Sequence, residues 1–237
     1  FTDPLSMPPS NTQFLPALQA NPWFGNLPVS EQRAMLERAQ PVRLPRGAVL
    51  YRKGHPECAF YGIVEGLVKI SSLAPDGREG ILALIEAGNW FSESTLLDGQ
   101  DNPYDATVVK DVQLLVIDRE GFETLMLRQP FAAAIARLEA QRLRAVFSMV
   151  EDTMLRDMRA RVARRLLVLA HGDATMASQA RAQVHVSQDA LAMMLGITRQ
   201  TLAKELRALV DAKVLTLGYG RMDIVDVPAL QRLAEPG

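Results

Sequence analysis

The chain has 237 residues, 48% of them hydrophobic, and a formal net charge of −1, which is enough apolar material for two modest cores and carries no global signal for a polyanion. The charge is uneven: from Arg156 onward 12 Lys and Arg stand against 8 Asp and Glu, so the C-terminal part is the one suited to phosphates. A single cysteine, Cys58, excludes an internal disulfide framework, a cysteine-based zinc ribbon and a four-cysteine iron–sulfur cluster in one chain; without a bilayer-length apolar run or a basic-then-apolar leader, a cytoplasmic protein with no membrane partner is expected.

Residues 1–28 read as an irregular lead-in, rich in Pro, Asn and Gln from residue 8 on, and residues 1–6 ahead of Met7 as a vector-derived extension. Ser30-Glu31-Gln32-Arg33 resembles a capping box and opens a short helix with Met35 and Leu36 facing inward. From Pro41 to Asp118 short apolar runs are divided by Gly and Pro: Ala48 to Tyr51, Phe60 to Val64, Leu67 to Leu73, Ile81 to Ile85, Thr107 to Val109 and Val112 to Ile117. That texture predicts a many-stranded antiparallel domain over 29–129.

After Gly121-Phe122 the apolar period lengthens, and a long helix is expected over 130–156 with Pro130 as its first residue. Phe131, Ile135, Leu138, Arg142, Ala145 and Met149 follow the alternating steps of a coiled-coil seam, which asks for a second helix. An amphipathic helix folded onto its own domain satisfies the same spacing. Asp157 is placed to cap the next helix, whose apolar side is Val162, Leu166, Leu167 and Leu169; Gly172 to Gln183 reads as a loop.

The sharpest pattern runs from Ser187 to Leu209. Two short helices crossing steeply need a small residue at their contact, a glycine in the turn and apolar residues at fixed offsets. Ser187 caps the first helix, Leu191 and Leu195 turn inward, Ala192 is the small residue, Gly196 makes the turn and Ile197 packs behind it. Thr198 caps the second helix; Leu202 and Leu206 face the core, leaving Arg199, Gln200, Thr201 and Lys204 outward. Arg matches guanine, Gln matches adenine, Lys reaches guanine or phosphate, and a Thr methyl can meet that of thymine. Ser187, Gln188 and Thr198 join these as candidate DNA contacts, as does Arg221 in Gly218-Tyr219-Gly220-Arg221, between runs Val214 to Leu217 and Met222 to Val225 that read as a two-stranded wing. An ordinary helical hairpin with a solvated face is the plain alternative, and it does not require all of these offsets together.

This order of parts resembles the Crp–Fnr superfamily of transcription regulators, over roughly Pro41 to Val225. The stretches that carry the resemblance are Leu50-Tyr51-Arg52-Lys53-Gly54, Tyr61-Gly62-Ile63-Val64-Glu65-Gly66, Asp157 with Arg161-Val162-Ala163, and above all Gly196-Ile197-Thr198-Arg199-Gln200-Thr201. The resemblance implies an α+β protein: an N-terminal antiparallel β-roll like the cyclic-nucleotide-binding jelly roll, a long dimerisation helix, and a C-terminal winged helix-turn-helix over 157–237. It further implies a homodimer on double-stranded DNA, working with RNA polymerase, and no enzymatic activity.

Nucleotide-binding members carry Gly-Glu-Leu and, about ten residues on, Arg-Ser around the cyclic phosphate. Here the corresponding residues are Ser92-Glu93-Ser94 and Tyr104-Asp105, and the positions that meet the adenine fall on Val146 and Phe147. Loss of the Arg and an Asp beside the phosphate disfavour cyclic AMP, so these residues are expected to line a pocket for a different effector, or for none, and no cofactor is expected. A cyclic-nucleotide-responsive regulator with an atypical pocket is the second reading. A cupin-like metal enzyme is a third, and it lacks ligand spacing: His55, His171 and His185 are scattered, with no His-x-His pair.

Overall fold

The computed structural model describes residues 11–56, 58–175 and 180–235. The extension read at 1–6 and part of the loop read at 172–183 therefore lie outside the described residues. The chain divides into two compact units, Phe1–Val68 with Ile85–Leu138, and Lys69–Leu84 with Glu139–Gly237.

In the first unit the described part of the lead-in, from residue 11 on, is not irregular. After a 3-10 turn at Asn11–Phe14 come α1 (Leu15–Gln19) and α2 (Pro22–Gly25), and Leu18 and Phe24 are fully buried. Asn21 caps α2 by accepting from the Trp23 backbone N–H, and the Trp23 indole donates to the Ala134 carbonyl at 2.9 Å. Such short helices complete about one turn and show no 3.6-residue period in the sequence. The capping box at Ser30 does not form: α3 spans Val29–Arg38, placing Ser30 inside the helix, and Glu31 turns inward to Arg128. Met35 and Leu36 are buried as expected.

The strands are β1 (Gln40–Leu44), β2 (Val49–Tyr51), β3 (Phe60–Leu73), β4 (Glu79–Glu86), β5 (Trp90–Phe91) and β6 (Asp105–Ile117), ordered β1-β6-β3-β4, with β2 on β6 and β5 on β3. The runs expected at 60–64 and 67–73 merge into β3, and those at 107–109 and 112–117 into β6. Gly66 makes the first merger possible: its φ is +101°, and a Cβ there would lie 2.2 Å from the Asp111 carbonyl oxygen. Pro41 masked β1 in the sequence, but β1 ends the strand order, and an edge strand tolerates proline. A short helix, α4 (Glu93–Asp98), follows β5, and α5 (Arg119–Met126) follows β6 behind its Asp118 cap.

Aromatic rings fill this core, with Phe60 against Trp90 at 5.0 Å and Phe122 at 5.3 Å, and Phe122 against Phe131 at 5.8 Å. Each such buried ring contributes about 1.5–3 kcal/mol. Phe131 comes from α6 (Gln129–Leu155), which corrects the expected seam. Phe131, Ile135 and Leu138 are 0%, 1% and 6% exposed because they pack into their own chain's core. Farther along α6, Leu143, Phe147, Val150 and Met154 are all exposed. Their four-three-four spacing is also a heptad seam, two residues out of phase with the expected one.

In the second unit α7 (Met158–Ala170) is capped by Asp157, as expected. Beyond it come β7 (Gln183–Val184), α8 (Gln188–Leu195), α9 (Arg199–Asp211), β8 (Leu215–Gly218), β9 (Arg221–Ile224) and α10 (Val227–Leu233). The wing is part of a three-stranded sheet, β7-β9-β8, rather than a two-stranded one. Val162, Leu166, Leu191, Leu202, Leu206 and Leu215 form the centre of this unit, each fully buried. The buried Arg165 guanidinium reaches both oxygens of Asp173 at 3.1 Å, and Asp173 also accepts from the Leu84 backbone N–H at 2.7 Å. Asp173 thus ties α7 to the β3–β4 hairpin within this unit.

Candidate nucleic-acid interface

The turn between α8 and α9 forms as its residues require. Ser187 accepts from the Ala190 backbone N–H, Gly196 closes α8 at φ 65°, and Ile197 donates its backbone N–H to the Ala192 carbonyl. Thr198 accepts from the Thr201 backbone N–H at 3.1 Å, and the two hydroxyls lie 2.9 Å apart. Each cap satisfies a backbone donor that a helix start leaves open. Leu191, Ala192, Leu202 and Leu206 are buried as expected, whereas Leu195 is only half-buried.

The opposite face of α9 is open. Arg199, Gln200 and Lys204 are exposed and Thr201 is half-buried, so the structure brings these candidate contacts together on the N-terminal part of one helix. Gln188 is half-buried and Ser187 exposed at the start of α8, where the Ser187 hydroxyl retains its proton for donation. Arg221, the candidate phosphate contact in the wing, has its Nε 3.3 Å from Asp223, and its side chain packs over Gly218, where a Cβ would come within 2.9 Å.

Two arginines that spacing did not single out brace this face. Arg159 Nε pairs with Glu205 Oε2 of α9 at 3.1 Å, and Arg161 donates to the Leu195 carbonyl at the end of α8. Asp189 was also missed; its Oδ1 stands 3.4 Å from Arg199 Nε. Its signal was a carboxylate in the first turn of α8, visible in the sequence but without a partner until the helices cross.

The residues read as an effector pocket divide between the units. Ser92 adopts φ 77°, Glu93 is 2% exposed at the start of α4, and Ser94 and Tyr104 are exposed. Asp105 is engaged locally, accepting from the Lys53 backbone N–H at 2.8 Å, with its other oxygen 3.7 Å from Arg52. Val146 and Phe147 lie on α6 in the second unit, 55% and 65% exposed. Among the described residues no group of His, Cys, Asp and Glu is placed to hold a metal ion, and no helix is long and apolar enough to cross a membrane.

Two family models match the chain: a cyclic nucleotide-binding domain over residues 41–129 and a Crp-like helix-turn-helix domain over 160–233. The chain is 31% identical over 185 residues to a CRP-like cAMP-activated global transcriptional regulator of Mycobacterium tuberculosis, covering 77% of this chain and 83% of that protein. It is 29% identical over 218 residues to the cyclic AMP receptor protein of Thermus thermophilus, covering 92% and 98%. Among solved structures, a CRP-family transcriptional regulator, also of Thermus thermophilus, matches with a TM-score of 0.65 at 27% identity, over 81% of this chain and 96% of that one. FixK2 of Bradyrhizobium japonicum shares the fold, with a TM-score of 0.73 at 20% identity over 84% and 98%.

Proposed function

The chain belongs to the Crp-like transcription regulators with a helix-turn-helix DNA-binding domain, and from that premise we propose that it binds a two-fold symmetric DNA site as a homodimer, reading bases with α9. The observation that carries this reading is the exposed set Arg199, Gln200 and Lys204 at the start of a helix whose other face is locked by Leu202, Leu206 and the Arg159–Glu205 pair. Arg199 donates to guanine, Gln200 to adenine, and Lys204 to guanine or phosphate. Thr201 offers its methyl to a thymine, and Ser187, Gln188 and Thr198 position the unit on the backbone. Arg221 joins them once it exchanges Asp223 for a phosphate.

The dimer forms through the exposed Leu143, Phe147, Val150 and Met154 of α6, with Ala145 and Met149 beside them. Pairing two such helices places two recognition helices one DNA turn apart, about 34 Å. The protein works in the cytoplasm, where a dimer bound at a promoter acts with RNA polymerase.

The effector is a molecule other than cyclic AMP, or is absent. Tyr104 and Asp105 replace the phosphate-binding Arg and Ser of nucleotide binders, and the Asp105 carboxylate is occupied by Lys53 and Arg52. An effector would act by binding one arrangement of the DNA-binding units more tightly than another. The relatives named for cyclic AMP favour a second reading, a cyclic-nucleotide regulator with an altered pocket. Calorimetric titration separates the two: no saturable binding of cyclic AMP is expected, and tight binding installs the second reading.

The reading of DNA is tested by selecting sites from random duplexes with purified protein and no added ligand. Enrichment of an inverted repeat is expected, and Arg199→Ala should lose about 1–3 kcal/mol on it and relax preference at one position of each half-site. Equal binding by Arg199→Ala would remove α9 from the reading.

A further inference from the structure

We infer that Asp189 is a specificity-determining positioning residue, holding Arg199 by its Nε so that the two terminal amino groups of the guanidinium are presented together to one base. The inference rests on the reading of α9 as the recognition helix and goes beyond it, since Asp189 itself contacts no base.

Asp189 lies in the first turn of α8 and Arg199 is the first residue of α9. They are ten positions apart in sequence and come within 3.4 Å, Oδ1 to Nε, because the Gly196 turn crosses the two helix starts. The approach is to Nε, on the side edge of the guanidinium, so the end edge formed by the two Nη groups is the one left for a base. Guanine presents O6 and N7 side by side in the major groove, which a guanidinium held at its third nitrogen meets with two N–H bonds. A freely turning side chain must give up rotamer freedom to do the same.

The charge of Asp189 acts in the same direction. Arg199 is a cation at a helix N-terminus, where the helix dipole disfavours it. Unpaired, it would gain from any phosphate on any sequence, and that attraction raises non-specific binding without discriminating bases. Asp189 offsets that positive charge. The pair therefore gives up part of the sequence-independent affinity and keeps the base contact. Both side chains are more than half exposed, 70% for Arg199 and 55% for Asp189. The effect is accordingly modest and salt-dependent. No cap is involved, since Ser187 caps α8 and Thr198 caps α9.

The test uses full-length protein, the duplex that wild type selects, that duplex with the base facing Arg199 changed, and an unrelated duplex, with affinities read by fluorescence anisotropy over a salt series. Asp189→Asn is expected to bind the unrelated duplex about two- to fivefold more tightly and to discriminate the changed base about two- to fivefold less. Asp189→Glu, which keeps the charge, should restore most of the discrimination. In an Arg199→Ala background Asp189→Asn should leave discrimination unchanged, because the group it positions is gone. Undiminished discrimination by Asp189→Asn, or an equal loss in the Arg199→Ala background, overturns the inference while leaving α9 as the reading helix. If wild type selects no defined site, the reading of α9 falls and this inference with it.

Discussion

Glu31 and Glu139 show how single carboxyls respond oppositely to their surroundings. The Arg128 guanidinium hydrogen-bonded to Glu31 at 2.6 and 2.7 Å holds its carboxyl below the ordinary range, against the opposing effect of burial. Glu139 is pushed up by burial, with Oε1 enclosed and without a hydrogen-bond partner among the described residues. A lowered folded-state pKa supplies stability above the unfolded value that is lost as pH falls through the folded one; a raised carboxyl pKa imposes a cost that grows as pH rises through the interval. Glu31→Gln should therefore lower the thermal midpoint at neutral pH and flatten the acid limb of its pH profile. Glu139→Gln should raise the midpoint at neutral pH, with the gain vanishing in acid; midpoints that move together in both variants would contradict these assignments. A third residue, Arg165, compensates Asp173 in a nearly dry site, 6% and 8% exposed. Arg165→Ala should cost about 3–5 kcal/mol in denaturant unfolding by stranding that carboxylate.

Among the elements, α8, α9 and their turn were legible in the sequence because everything that makes them is local: Ser187, Ala192, Gly196 and Thr198 act within a few residues of themselves. Thr198→Ala should cost about 1 kcal/mol of stability, and Thr198→Ser almost none, by thermal unfolding. The proposed dimer face of α6 was legible as a period but not as a face. A heptad does not say whether its partner is the same chain, and Phe131 and Ile135 were taken up by the aromatic core around Phe60 and Phe122, with Leu138 also buried. Asp152, farther along α6, has a local use, closing on Arg156 at 2.7 Å. Phe147→Glu should therefore shift the protein toward monomer in sedimentation velocity, whereas Ala132→Glu, half-buried on the first part of α6, should act on folding instead. The three-stranded wing sheet escaped because β7 is two residues long and its partner β9 lies far along the chain.

For the whole molecule, the order of an antiparallel domain, a long helix and a winged helix-turn-helix was readable from texture alone: turn glycines and short runs first, then a longer period, then fixed offsets. The uneven charge was readable too, and it predicts the way binding depends on salt. The logarithm of the affinity should fall linearly with the logarithm of salt concentration, by about 0.9 for each phosphate neutralised. What the sequence withheld were partners that only folding supplies, such as Glu31 for Arg128, Asp173 for Arg165 and Asp189 for Arg199. A hydroxyl-radical footprint on the selected duplex, combined with the mass of the complex in sedimentation equilibrium, tests the dimeric reading of DNA directly. Two protected patches one helical turn apart, about 34 Å, with two chains per duplex, are expected. A single patch carrying one chain would contradict it.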